Sequence, residues 1–167
     1  TQTYETKITV GLDPRSPFTA AERQEQFDAA MAVRAMFGDM TDLVTRIQGV
    51  RTGATRASAS LPEGDAMKAQ LLALSDSADA VRKQIVATKE GGAITGEERL
   101  REHMDGLYGG IMDYEGRPTA TLIAYTDVLR RELGDISASF DALCAKDVKA
   151  VNAALKSKGL PEITGWN

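Results

Sequence analysis

An all-α fold, an up-and-down four-helix bundle, is what this sequence of 167 residues predicts, and three observations predict it. The first is the stretch from Leu122 to Leu143, where apolar residues recur at alternating steps of four and three. Leu122, Leu129, Ile136 and Leu143 form one track, with Thr126, Leu133 and Phe140 the other, which is the seam of a helix packed along other helices. The second is that three more segments carry matching seams. The third is composition: aromatics are only 5 %, while Ala, Leu, Arg, Glu and Asp are plentiful, a mixture that suits helices better than sheets.

The totals bound the function classes. One domain of this length can bury a real core. The net charge is −4 with no Lys/Arg cluster, which argues against a nucleic-acid or anionic-membrane surface. No run of about 18 apolar residues predicts a membrane span, and no signal peptide is recognisable. Cys144 is the only cysteine, so no intrachain disulfide reports the redox compartment. The chain opens on Thr1 rather than Met, as a processed or excised piece of a longer chain would.

Residues 1–18 are expected to be an extended connector. Tyr4, Thr6, Ile8, Val10 and Leu12 alternate with Glu5, Lys7, Thr9 and Gly11, the pattern of a strand. Asp13-Pro14 stops it, because proline lacks the N–H and biases its predecessor away from helix. A lone strand cannot pair its own backbone, so it either lies along the bundle or, the favoured reading, joins a sheet belonging to another body.

The bundle is expected over residues 19–158. Thr19 with Glu22 forms a capping box. The first helix runs from about Ala20 to Ala57, with a seam of Ala30, Val33, Phe37, Met40, Val44 and Ile47. A third track, Met36, Leu43 and Val50, makes it an interior member touching two neighbours. Gly38, Gly49 and Gly53 weaken it locally. Leu61-Pro62-Glu63-Gly64 turns the chain, Asp65 caps the second helix, and Met67, Leu71, Leu74, Ala78, Val81 and Ile85 continue a heptad toward Lys89. Gly91-Gly92 breaks it.

Thr95, with Glu98 at capping-box spacing, opens the third helix, whose seam is Leu100, Met104, Leu107, Ile111 and Tyr114. Gly109-Gly110 within it reads as close packing against a neighbouring backbone. Gly116-Arg117-Pro118-Thr119 leads into the fourth helix, expected to end near Ala145. A separate short helix follows over Asp147 to Lys158, closed by Gly159 and Pro161. Residues 159–167 are a tail carrying Trp166, for which disorder is the expectation. Short connections make consecutive helices antiparallel neighbours.

Candidate chemistry is sparse. His103 and Cys144 could form a Cys/His pair if their helices were adjacent, but a cysteine beside Leu143 reads as a small buried hydrophobe and a histidine beside Met104 as a rim residue. A bundle di-metal site needs inward carboxylates and Glu-x-x-His; three residues before His103 stands Leu100. Glu97, Glu98, Glu102 and Asp105 with Arg99 and Arg101 read as a solvated face. Glycine-rich phosphate loops, zinc spacings and EF-hand loops are missing from the sequence, so no catalytic, cofactor or metal residue is assigned. The candidate docking residues are Tyr4, Ile8, Val10, Leu12, Phe18 and Trp166, the apolar side chains expected to be exposed.

One resemblance adds to this. The stretch Ile8-Thr9-Val10-Gly11-Leu12-Asp13-Pro14-Arg15, followed by a capped long helix with Gln24, Phe27 and Met31, resembles the segment leaving the propeller in BNR-repeat β-propeller proteins. These are sortilin-like, sialidase-type proteins often labelled glycosyl hydrolases. Gly116-Arg117-Pro118-Thr119 and the Asn152-x-x-Leu155 close are similar as well. The resemblance implies a C-terminal helical domain without catalytic residues, a β-propeller before the connector as partner, and an extracytoplasmic, bacterial setting. Ser-x-Asp-x-Gly-x-Thr-Trp repeats, which mark propeller blades, do not occur in this chain.

The expectation is therefore a non-catalytic module that braces or docks onto a β-propeller or another protein. The alternatives are a free-standing bundle that self-associates or binds a partner, with oligomers possible, and, more remotely, part of a glycoside-hydrolase-like enzyme whose active site lies outside this chain.

Overall fold

The computed structural model describes residues 2–89 and 96–166. It is all-helical: α1 (Ala20–Ala59), α2 (Ala66–Ile85), α3 (Leu100–Met112), α4 (Ala120–Leu143), a π turn (Cys144–Val148) and α5 (Lys149–Ser157). The four predicted helices are present. The Thr95 cap and the Gly91-Gly92 break lie outside the described residues.

Helix α1 is 40 residues long, about 60 Å, and is the spine. Its capping box is formed as expected, with Glu22 N donating to Thr19 Oγ1 (3.2 Å) and Thr19 N to Glu22 Oε2 (2.8 Å). Its buried seam is Val33, Met36, Met40, Leu43, Ile47, Val50 and Ala54, an unbroken heptad of threes and fours. Phe37 and Val44, expected on the main seam, are half-buried on its flank, where Phe37 meets Tyr108 edge-to-face at 6.4 Å.

Neighbouring pairs fix the directions. Arg51 on α1 pairs with Asp79 on α2 (2.9 Å), and Thr55 with Ser75 (3.4 Å), so α2 runs antiparallel along the C-terminal half of α1. Phe37 meets Tyr108, while Gln26 reaches the carbonyl of Ile111 (2.7 Å), so α3 runs antiparallel along the N-terminal half. The up-and-down alternation thus holds from α1 to α2 and from α3 to α4. Between them, α2 and α3 follow one another down the same spine, both antiparallel to α1. Helix α4 then runs parallel to α1, with Arg46 on Asp141 (2.7 Å).

Two helix ends are shorter than the periodicity suggests. Helix α2 stops at Ile85, with Val86 extended, rather than near Lys89. Helix α3 begins at Leu100, capped at Arg99, whose N–H donates to Glu102 (3.0 Å); Glu98 has no capping part. Glu97 instead accepts from Thr88 N (2.8 Å) and Oγ1 (3.1 Å), which ties the approach to α3 back to the exit of α2. Tyr114 lies beyond the end of α3, so it is not a seam residue. Gly110 packs against the Leu122 side chain rather than against a neighbouring backbone, and Gly109 meets no neighbour.

The expected separate fifth helix is a correction. Helix α4 passes through the π turn into α5 without a break. The buried residues show why: Thr126, Leu129, Leu133, Ile136 and Phe140 follow the heptad, then burial moves to Cys144, Val148, Val151 and Leu155. Continued in its first phase, the heptad would have buried Leu143, Asp147, Ala150 and Ala154. A π turn inserts one residue, which rotates the apolar face of α5 back onto the core.

The tail is also a correction, since it is folded. Gly159 (φ +69°) closes α5, with Leu160 N donating to Leu155 O and Gly159 N to Lys156 O, both at 3.0 Å, the paired bonds of a Schellman motif. The chain then turns back onto α1. Ile163 is buried, and Asn152 clasps its backbone, Nδ2 donating to Ile163 O (3.0 Å) and Oδ1 accepting from Ile163 N (2.8 Å). A Cβ on Gly49 would lie 2.6 Å from Gly165 O, and one on Gly53 2.8 Å from Ile163 Cγ2. The two glycines that weaken α1 are the floor on which the tail rests.

Electrostatics reinforce the α1–α2 pair. Asp79, 16 % exposed, receives Arg51, Arg82 and Lys83 at 2.8–2.9 Å. Hydrogen bonds from Lys83 and Arg82 hold its carboxyl at about 2, below the ordinary 3.8. Glu97 is held at about 2, first by the Thr88 N–H and then by Arg99. Both values are depressed in the fold, so both contributions are complete above the ordinary carboxylate range and disappear as pH falls through about 2. Urea unfolding should show Asp79's share, about 1–2 kcal/mol after solvent screening, vanish between pH 5 and pH 2. Asp79→Asn should flatten that part of the curve; an unaltered slope would contradict the assignment.

Candidate docking surface

The connector leaves the bundle as an exposed arm. Residues 2–12 form neither helix nor β-ladder, and among the described residues no backbone hydrogen bond joins them to the rest of the chain; the first such bond is Ser16 N to Asp13 O at 3.0 Å. Tyr4, Ile8 and Val10 are 85, 82 and 90 % exposed, and Leu12 is exposed as well. Four of the six predicted docking residues therefore share one free segment.

The root of the arm is fastened. Asp13 accepts from Arg15 N (2.9 Å) and pairs with the Arg15 guanidinium (2.8 Å), which holds its carboxyl below the ordinary range. Ser16 Oγ donates to Glu115 Oε2 (3.1 Å), and Glu115 also pairs with Arg23 of α1. Phe18 lies against Gly116, where φ is +128° and a Cβ would come within 2.6 Å of the Phe18 ring. Glycine is needed there on both counts. Around this joint Gln26 donates to the carbonyls of Ile111 and Tyr114 and accepts from Gly116 N (3.3 Å), while Arg117 forks onto Glu25 (2.6 and 3.0 Å). The arm thus departs from a rigid end of the bundle at a set place.

Phe18 and Trp166, expected to be exposed, are half-buried. Phe18 fills the joint just described. Trp166 Nε1 donates to Ile163 O (3.1 Å), and its carbonyl accepts from Arg46 Nε (3.0 Å). Arg46 lies about 40 Å along α1 from the arm, so Trp166 is too far from the arm to share a surface with it. Two apolar side chains of α1 not assigned to docking from the sequence are exposed nearer the arm, Phe27 (58 %) and Met31. They stand one turn apart on the first part of α1, off the heptad that the core uses; their departure from that heptad was the available signal.

The residues considered for catalysis are placed apart in kind. Cys144 is buried, and desolvation raises its thiol to about 11, so it holds its proton at neutral pH. His103 lies at the edge of α3, 3.7 Å from Glu98. Among the described residues no hydrogen bond connects the two, and no group of three or more His, Cys, Asp or Glu is placed to hold a metal ion. A cleft of about 480 Å³ lies beneath the tail, lined by Thr52, Gly53, Arg56, Leu160 and Ile163. A more open groove of about 670 Å³ runs between α1 and α4. Neither contains Cys144 or His103. No described helix is long and apolar enough to cross a membrane.

No family model, curated protein or solved structure matches this chain.

Proposed function

We propose that this chain is a non-catalytic helical module that braces or docks onto a β-propeller, or another protein, by means of its N-terminal arm. The observation that carries the reading is the contrast between the two parts. The bundle buries its seams on itself, while the arm holds Tyr4, Ile8, Val10 and Leu12 in water at the end of a braced joint. Apolar side chains gathered on an unpartnered segment mark an interaction site. The propeller as partner, and with it an extracytoplasmic setting, rests on the sequence resemblance at Ile8–Arg15.

Removing residues 1–12 tests the division of labour. The shortened chain should keep the helical circular-dichroism signal and an unfolding free energy within about 1 kcal/mol of the parent, because, among the described residues, residues 2–12 make no hydrogen bond to the bundle. It should lose the partner. Collapse of helicity on truncation, or undiminished partner binding, would count against the reading.

A second reading, self-association through α1, draws on the exposure of Phe27 and Met31. It predicts a mass that rises with concentration in sedimentation equilibrium and falls back on Phe27→Asp; a monomer at every concentration removes it.

A further inference from the structure

We infer that the arm docks by main-chain pairing, adding itself as a strand to the open edge of a β-sheet in the partner. This rests on the reading that the arm is the docking element, and it specifies the chemistry of what is bound.

Three features of the arm select a sheet edge over a helical groove or an apolar pocket. First, its apolar residues have period two. Tyr4, Ile8, Val10 and Leu12 fall on one side and Thr3, Glu5, Lys7 and Thr9 on the other, which suits a sheet with one packed and one wet face. A helical groove reads steps of three and four instead. Second, Thr, Ile, Val and Tyr dominate residues 3–10, side chains that fit a pleated surface, and proline is held back until Pro14, past the strand. Third, the backbone N–H and C=O groups of residues 2–12 have no protein partner among the described residues, while the bundle offers no strand for them to pair with.

Energetics point the same way. Fixing eleven residues costs backbone entropy, of which four apolar side chains recover only about half; the row of main-chain hydrogen bonds is needed to supply the rest. A second copy of the arm is a poor occupant, since two strands alone have no core to cover and are marginal in water. A preformed sheet already has that core. In strand form residues 2–12 reach about 36 Å, enough to line a full edge, and the fastened Asp13–Phe18 joint sets where pairing ends.

The test uses the full chain in the cells that make it. A photo-crosslinking side chain is placed at Tyr4 or Ile8, the crosslinked products are mapped, and amide exchange is followed in the complex purified without crosslinking. Both probes should reach positions on one edge strand of the same partner. Exchange should slow at least tenfold at every second amide between residues 3 and 12, because an edge strand bonds on one side only. Crosslinks to a helical or irregular surface, no crosslinked partner, or exchange that changes at all amides alike or at none would overturn the inference. The two readings fail differently. If deleting residues 1–12 abolishes the complex but alternate protection is missing, the arm docks by side chains and only this inference falls; if the complex survives deletion, both fall.

Discussion

Phe140→Ala is expected to destabilise the fold by about 3–5 kcal/mol in urea titration. Phe140 is fully buried and is the largest side chain in the core. It stands on α4 just before the π turn, and the Arg46 guanidinium lies over its ring at 5.1 Å. Arg46 in turn holds Asp141 and the carbonyl of Trp166. Truncation therefore opens a cavity between α1 and α4 and loosens the cation that joins α4 and the tail to the spine. Leu72→Ala serves as control: Leu72 lies on α2 but is 44 % exposed, and its loss should cost about 0.5 kcal/mol or less. A Phe140→Ala change below about 1 kcal/mol would mean that the faces of α4 are misassigned.

Asn152→Ala is expected to cost about 1–3 kcal/mol and to free the tail. The side chain is buried and satisfies both the N–H and the C=O of Ile163. Without it the Ile163 N–H remains unsatisfied under the tail and the carbonyl keeps only Trp166 Nε1, at the desolvation penalty of a buried polar group, or the tail lifts to let water reach them. Lifting caps the loss at what tail docking contributes, which sets the upper figure. Trp166 reports the difference, being the only tryptophan and held to Ile163 O. Its emission should shift to the red and become accessible to quenchers. Leu122→Ala, a half-buried site remote from the tail, should leave that emission unchanged. Parent-like fluorescence and stability in Asn152→Ala would show that the clasp is not what seats the tail.

The helices were legible because their signal is repeated. Each seam recurs over several turns, and the caps at Thr19, Asp65 and Thr119 mark where three of them start. What escaped depends on single contacts between distant residues. The π turn could have been read from the one-residue change of phase between Phe140 and Val148, which otherwise resembles the end of one helix and the start of another. Gly49 and Gly53 count as helix breakers until Ile163 and Gly165 are laid against them. Asn152 and Gln26 look like ordinary surface polar residues, since their partners are backbone groups, and backbone groups carry no sequence signal. The common direction of α2 and α3 shows only in their contacts with α1, and a heptad carries no direction.

The docking residues divide in the same way. Alternation over Tyr4–Leu12 is a repeated pattern, and those residues are on the free arm. Phe18 and Trp166 lie in irregular segments, where no period reports which side is buried, and each packs against a glycine-bearing element that only the folded chain brings near: Gly116 for Phe18, and the Gly49-containing spine for the tail that carries Trp166.

The central claim is that this bundle serves a sheet-bearing body reached through its arm. The most direct measurement is to read the coding sequence upstream of Thr1. The account predicts β-propeller blades with Ser-x-Asp-x-Gly-x-Thr-Trp repeats in the same reading frame, leading into the arm. A start codon or a bare signal peptide immediately before Thr1 would contradict the propeller as partner and leave the bundle a protein in its own right.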